Sequence, residues 1–192
     1  MLRLKYNAPV ILTFGFLCTA VLLVSSTLLP SLIPSWFAVG PKGSFRFNSI
    51  HSYVTLFSHV LGHSSWDHLA GNMLFILVVG PLLEEIYGVS EMIFMIAVTA
   101  FITGLANVLF FSTGLLGASG IVFMLVLLAS FTNFRRGEIP LTFVFVLILY
   151  VGKEALAAFS RDGISHFAHI VGGLCGSLFG FFRDSAHPSA EN

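Results

Sequence analysis

Charged residues are scarce in this sequence. Asp, Glu, Lys and Arg make up only 9% of its 192 residues, whereas a soluble domain carries roughly 25%. So few charged side chains cannot cover the surface of a water-soluble protein of this size, and lipid must therefore be much of the solvent. The formal net charge of +0 also gives no reason to expect a nucleic-acid partner.

Cysteine is rarer still. The chain has only Cys18 and Cys175, and each lies inside an apolar run, where it is typical of a small buried hydrophobe. The sequence therefore predicts no disulfide framework, and its cysteine usage does not indicate a redox compartment.

Apolar residues, in contrast, make up 56% of the chain and form six runs, of which the first has the length needed for roughly 30 Å of hydrocarbon. The runs are Pro9–Leu29, Leu69–Leu83, Met92–Phe111, Leu115–Phe134, Ile139–Phe159 and Ile164–Phe182. Short breaker segments separate the later runs and leave room for little more than turns. The sequence thus predicts an all-α membrane protein, a bundle of six transmembrane helices in a single domain over residues 1–192.

The first run has a second interpretation. Arg3 and Lys5 precede it, as positive residues precede the apolar core of a signal peptide. We favour a retained span, because the rest of the chain is bound to the membrane in any case.

A long connection at about residues 30–67 separates the first and second runs. It is rich in aromatic residues, namely Trp36, Phe37, Phe45, Phe47, Tyr53, Phe57 and Trp66. Aromatic side chains at this density suit a membrane–water interface. We therefore expect this connection to lie partly among the lipid headgroups and not to form a separate soluble domain.

The positive residues of the short loops set the expected orientation. Arg135 and Arg136 form a pair in a tight loop, which predicts that this loop lies inside the cell. The N-terminus is then cytoplasmic as well. We expect a multi-pass protein of the cell (inner) membrane of a prokaryote, with the lipid bilayer as its surroundings.

Polar clusters open the second, fourth and sixth runs, which all cross the membrane in one direction. They are His68 with Asn72, the segment Gly117-Ala118-Ser119-Gly120, and His166 with His169. The three clusters should therefore meet at one depth near the outer surface. At 1.5 Å per residue, Ser119 should lie roughly 6 Å below the start of its helix.

Ser119 and His169 are the candidate catalytic pair. Each alone also fits ordinary packing, since serine and histidine both occur at contacts between membrane helices. Gly117 and Gly120 leave the Ser119 hydroxyl exposed, and nucleophilic catalysis needs such a hydroxyl within hydrogen-bond reach of a base. The N-terminus of a helix also supplies N–H groups and a positive dipole end, which can stabilise an oxyanion.

Small residues recur every four positions along the sixth run, at Ala168, Gly172, Gly176 and Gly180. Such a stripe lets another helix backbone approach closely. His169 lies beside the top of the stripe, which favours it as the base over His166, three residues earlier. Plain helix packing is the alternative interpretation, and it explains the stripe but not the histidine.

His68 and Asn72 are four residues apart and share one helix face, from which they could donate hydrogen bonds to an oxyanion. Ordinary polar packing is again the alternative. His59 and His63 have the same spacing and could bind zinc. The residues between them lack the glutamate of a zinc-protease motif, and we expect neither a metal nor another cofactor.

The motifs SHVLGHSSWDHLAGN, GPLLEEIYG, GASG and AHIVGGLCG follow one another between about Ser58 and Phe182. In this combination the chain resembles the rhomboid family of intramembrane serine proteases. The resemblance implies a six-helix bundle whose active site opens to water from outside, with Ser119 as nucleophile and His169 as general base. It implies an oxyanion hole made by His68, Asn72 and the Ser119 N–H, and structural roles for His59, His63, Glu84, Gly172 and Gly176.

Two positions depart from the family pattern. The family often has Trp-Arg in the long first loop, where this chain has Val54-Thr55. It also often has a tyrosine four residues after the serine, where this chain has Phe123, which keeps the ring that stacks on the base and loses the hydroxyl. Neither departure removes a reacting group.

The expected function is hydrolysis of a peptide bond in or near a transmembrane segment of another membrane protein, which makes transmembrane proteins the expected substrates. One alternative is a catalytically silent relative that binds membrane clients without cutting them. Another is a small transporter or channel. Transporters usually show charges inside the membrane or inverted repeats, and the apolar runs carry almost no charge beyond Lys153-Glu154.

Overall fold

The computed structural model describes residues 5–131 and 166–186, together with single positions at 141, 144, 145, 148 and 149. The helices are α1 (Pro9–Thr27), α2 (Leu32–Trp36), α3 (Ile50–Ser58), α4 (Trp66–Tyr87), α5 (Val89–Phe110), α6 (Ser119–Phe131) and α7 (His166–Ala186), and a 3₁₀ turn spans His59–Leu61. Within the described ranges there is no strand, only an isolated bridge between Val39 and Leu115. The predicted all-α class is confirmed.

Helices α1, α4 and α5 are long and apolar enough to cross a membrane. They correspond to the first three predicted runs, which are confirmed as membrane-capable helices. Two shorter apolar stretches, α6 and the part Phe167–Phe182 of α7, correspond to the fourth and sixth runs. The fifth run, Ile139–Phe159, lies outside the described residues apart from single positions, as do Arg135 and Arg136.

The fourth run differs from its prediction at its start. Helix α6 begins at Ser119, so this residue opens its helix and does not lie roughly 6 Å below the helix start, as 1.5 Å per residue had suggested. One cause is Leu115, which exchanges backbone hydrogen bonds of 2.8 and 2.9 Å with Val39. The other is Gly117, whose φ of +113° lies outside the right-handed helical region.

Helix α4 begins earlier than predicted because of Ser65. Its side chain accepts a hydrogen bond of 3.1 Å from the backbone N–H of His68, which caps the helix. Asp67 lies in the first turn, where a negative charge faces the positive end of the helix dipole. The cap fixes the backbone of His68 at the start of α4.

Glu84, near the far end of α4, holds the start of α1. Its two carboxylate oxygens accept the backbone N–H groups of Val10 at 2.9 Å and Ile11 at 3.0 Å. These are among the first N–H groups of α1, which have no acceptor within the helix. The structural role that the family resemblance implied for Glu84 is therefore a clamp between α4 and α1.

Helices α6 and α7 touch through their backbones. A methyl group on Gly172 would lie 2.8 Å from the carbonyl carbon of Gly120, and one on Gly176 would lie 2.9 Å from that of Met124. One on Gly180 would lie 2.5 Å from Phe131 Cβ. The small-residue stripe of α7 is thus the surface that lets α6 approach.

The connection between α1 and α4, residues 28–65, packs its helix α3 against α5. Phe57 of α3 stacks on Phe101 of α5 with ring centroids 5.5 Å apart. Several aromatic side chains of this connection remain exposed, among them Trp36, Phe47 and Tyr53. At the Val54-Thr55 position, Val54 is exposed and the Thr55 hydroxyl donates to Ser52 O within α3.

Candidate active site

Ser119 and His169 meet where α6 and α7 begin. Ser119 Oγ lies 2.8 Å from His169 Nε2, and both residues are half-buried. For the hydroxyl to donate at this distance, Nε2 must offer a lone pair, which requires the neutral-ring tautomer with its proton on Nδ1. The arrangement can move a proton from the hydroxyl to the imidazole.

Phe123 holds the imidazole from one side. Its ring stacks on His169 with centroids 4.4 Å apart and planes 11° from parallel. Phe123 follows Ser119 by one helical turn, so both side chains lie on the α6 face that meets α7. The ring contact predicted from the Phe123 position is present.

Gly117 brings His68 towards the candidate nucleophile. A Cβ atom added to Gly117 would lie 2.8 Å from Nε2 of His68. The φ of Gly117, +113°, is also one that suits glycine. The Nδ1 of His68 accepts from the backbone N–H of Ser64 at 3.5 Å and lies 3.1 Å from the Ser64 hydroxyl. Because Nδ1 accepts, the neutral ring carries its proton on Nε2, which faces the site.

Asn72 presents a second donor on the same side. Its Nδ2 is buried without a hydrogen-bond partner among the described residues. It lies 3.9 Å from the space that a side chain on Gly117 would fill. A buried unpartnered donor costs free energy, and a carbonyl oxygen or oxyanion entering this space could satisfy both Asn72 and His68.

Gly120 lies where α5 and α7 both come close to α6. A methyl group there would lie 3.3 Å from Thr103 Cγ2 of α5 and 3.4 Å from the Ala168 carbonyl oxygen of α7. Gly120 thereby allows α5, α6 and α7 to converge directly behind Ser119.

His59 and His63 lie behind the site and are almost completely buried. His59 Nε2–H donates to the Ala100 carbonyl at 3.1 Å, and its own carbonyl accepts from Gly117 N at 3.0 Å. His63 Nδ1–H donates to Leu61 O at 3.3 Å, and its ring packs against that of His68. Burial lowers the pKa of His59 to about 4; burial and the charge on His68 lower that of His63 to about 4.

Because the pKa values of these two histidines are lowered in the folded protein, we expect the protein to lose stability in mild acid. Below pH 6.5 the unfolded chain binds a proton at each of them while the folded protein does not, so stability falls from pH 6.5 to about 4. Between pH 7.5 and 5.5 we expect a loss of about 2 kcal/mol in the free energy of unfolding, measured with denaturant in detergent micelles.

The matched variant is His59→Gln, whose amide can still donate to Ala100 O but does not titrate. It should remove about half of the pH dependence. An unchanged dependence in His59→Gln and in His63→Gln would contradict the assignment.

Three further points concern a metal site, His166 and Ser64. The described residues include no group of three or more His, Cys, Asp or Glu side chains arranged to hold a metal ion. The side chain of His166 lies outside the described part of the chain, so its contacts cannot be compared with those of His169, the other candidate for the base. The sequence reasoning missed Ser64, which sets the His68 tautomer, because nothing in its local pattern distinguishes it from a loop serine.

The chain has recognisable relatives. The rhomboid domain family matches residues 51–185. The chain is similar to proteins named rhomboid protease GlpG from Yersinia pestis (strain Pestoides F) and Yersinia pseudotuberculosis serotype O:3 (strain YPIII), each 28% identical over 186 residues. The alignment covers 93% of this chain and 64% of each relative, so the chain spans a little under two thirds of their length.

Proposed function

The chain belongs to the rhomboid family, and on that premise we propose that it is an intramembrane serine endopeptidase. Its relatives carry the name of proteases, and three of its helices are suited to a membrane. The substrates we propose are transmembrane segments of other membrane proteins. The single observation that carries the proposal is the Ser119–His169 hydrogen bond of 2.8 Å.

Ser119 is the proposed nucleophile and His169 the proposed general base. As Ser119 Oγ attacks the carbonyl carbon of the scissile bond, His169 Nε2 takes the hydroxyl proton. The same proton then passes to the leaving amine when the tetrahedral intermediate collapses, which leaves an acyl group on Ser119. Water deprotonated by His169 releases the acyl group and restores the hydroxyl.

The charge that develops on the carbonyl oxygen needs donors in place before the reaction. We assign this role to His68 Nε2–H, Asn72 Nδ2–H and the backbone N–H of Ser119. The unpartnered Asn72 donor supports the assignment, as does the position of Ser119 at the start of α6, where N–H groups lack acceptors within the helix. Each donor is worth roughly 10²-fold or more in rate.

In the proposed mechanism the base is oriented by packing. The Phe123 ring on one face of the imidazole and the backbone contact of α7 with α6 fix its direction. A substrate must also unwind before its bond can reach Ser119. Segments with glycine or other helix-breaking residues unwind at lower cost and are the substrates we expect.

The proposal includes a membrane arrangement. We place the chain as one six-span domain over residues 1–192 in the inner membrane of a prokaryote, with a cytoplasmic N-terminus. The beginnings of α4, α6 and α7 then share the outer side, and the candidate site opens there. Water for hydrolysis would enter from that side.

A fluorophosphonate probe tests the chemistry and the orientation together. Such probes phosphonylate activated serines with loss of fluoride, so we expect purified protein to be labelled at Ser119, identified by peptide mass spectrometry. A charged, membrane-impermeant probe should also label spheroplasts, in which the outer side of the inner membrane is accessible. Absence of labelling in purified, folded protein would favour a catalytically silent relative that binds clients. Labelling only after the inner membrane is permeabilised would mean that the orientation is the reverse of the one proposed.

A further inference from the structure

The segment that delivers Ser119, residues 111–118, is held by the connection between α1 and α4. Val39 and Leu115 exchange backbone hydrogen bonds of 2.8 and 2.9 Å, and Lys42 N donates to Phe111 O at 2.6 Å. Val39 and Leu115 are both buried. The segment before the nucleophile is therefore hydrogen-bonded to a distant part of the chain and does not depend only on its neighbouring helices.

Asn107, in the last turn of α5, joins the same two stretches of chain. Its Nδ2 donates to Gly40 O and to Thr113 O, each at 3.0 Å. Both amide hydrogens are thus used, one on each stretch. The residue is 1% exposed, so its donors are shielded from bulk water.

The far end of the segment is fastened in the same way. Gly117 N donates to His59 O at 3.0 Å, and His59 in turn is tied to α5 through Ala100 O. The segment is therefore fixed at both ends before the chain enters α6. A loosened front end would leave the segment fastened at its Gly117 end only by the hydrogen bond to His59.

We propose that Asn107 is a positioning residue for Ser119, acting by locking residues 39–43 to residues 111–118. The inference rests on the proposed proteolytic function. Without its donors, the Gly40 and Thr113 carbonyls lose the hydrogen bonds that join the two stretches through Asn107, which favours their separation. The nucleophile must stay within 2.6–3.2 Å of its base, and roughly 1 Å of displacement costs about 100-fold in rate.

The test compares Asn107→Leu and Asn107→Asp with wild type and with Ser130→Ala. Both Asn107 variants remove the two donors at nearly constant size. The Ser130 change removes a hydrogen bond within α6, to Val126 O, and leaves residues 111–118 untouched. The kcat and KM for a transmembrane reporter are measured per active site, counted by the final extent of fluorophosphonate labelling.

We expect kcat to fall roughly 10- to 100-fold in both Asn107 variants with KM within about twofold of wild type. The rate of labelling should fall in parallel, while its final extent stays high. Ser130→Ala should match wild type. Unchanged kcat per labelled site in the Asn107 variants, even if less protein is labelled, would overturn the inference.

A rescue experiment separates positioning from general stability. Cysteines at Val39 and Leu115, in a chain with Cys18 and Cys175 replaced by alanine, can join the two stretches by a disulfide in the Asn107→Leu background. Most of the lost kcat should return on oxidation and disappear with reductant. A disulfide that forms without restoring kcat would contradict the inference. An inactive, unlabelled wild type would instead defeat the proposed function itself.

Discussion

Ser119→Ala is expected to abolish cleavage of a transmembrane reporter, a loss of roughly 10⁴-fold or more, while the melting temperature in detergent stays nearly unchanged. The change removes one oxygen, whose hydrogen bond to His169 is half-exposed and contributes little to stability. It also removes the only atom in the proposed mechanism that forms a bond to the substrate. Gel-based cleavage and thermal unfolding on the same preparation check both halves of the prediction.

His169→Ala should lose activity to a similar degree, because a serine hydroxyl is a poor nucleophile without a base. The double variant should be no worse than either single variant, since the two residues act as one unit. Ser112→Ala, an exposed serine in the segment before α6, is the matched control and should remain active. Retained cleavage in Ser119→Ala would falsify the nucleophile assignment.

The choice of His169 as the base is tested in the same assay with His166→Ala, which should keep substantial activity. The reason is geometric: His169 already lies at hydrogen-bond distance from Ser119. If His166→Ala is inactive while His169→Ala cleaves the reporter at the wild-type rate, the base has been assigned to the wrong histidine. If both variants stay active, the serine–histidine mechanism is wrong.

The sequence predicts the long helices well because each is an uninterrupted apolar run. Helices α1 and α5 begin and end within a few residues of the predicted runs. The start of α6 was missed, because Leu115 looks like the first residue of an apolar run and is in fact paired with Val39. That pairing joins residues far apart in the chain, and nothing in the local pattern of the fourth run reveals it.

The same distinction applies to the candidate site. Ser119 and His169 could be selected from span order, flanking glycines and the stripe of small residues, which can all be read from the sequence. The roles of Ser64 and Asn107 depend on which ring nitrogen or carbonyl the folded backbone brings within reach, so the sequence offers no signal for them. Glu84 lies between these cases. The family resemblance implied a structural role for it, but it did not identify the α1 N–H groups that donate hydrogen bonds to its carboxylate.

Gly172→Val is expected to inactivate the protein by separating α7 from α6. A Cβ atom on Gly172 would lie 2.8 Å from the carbonyl carbon of Gly120 and 2.9 Å from its Cα. The obstacle is backbone and cannot rotate away, so α7 itself must move. His169 lies on α7 less than one turn earlier, and roughly 1 Å of movement should cost about 100-fold or more in rate.

Gly173 provides the matched control, because a Cβ there would lie 3.6 Å from the nearest atom, a Leu127 side-chain carbon. Alanine at Gly173 should therefore leave activity near wild type, whereas alanine at Gly172 should already impair it strongly. Helix propensity favours alanine over glycine equally at both positions, so any difference between the two variants reports on the contact with α6. Cleavage is measured after size-exclusion chromatography has shown both variants to be folded and monodisperse. Full activity in Gly172→Val would mean that this contact does not set the distance between Ser119 and His169.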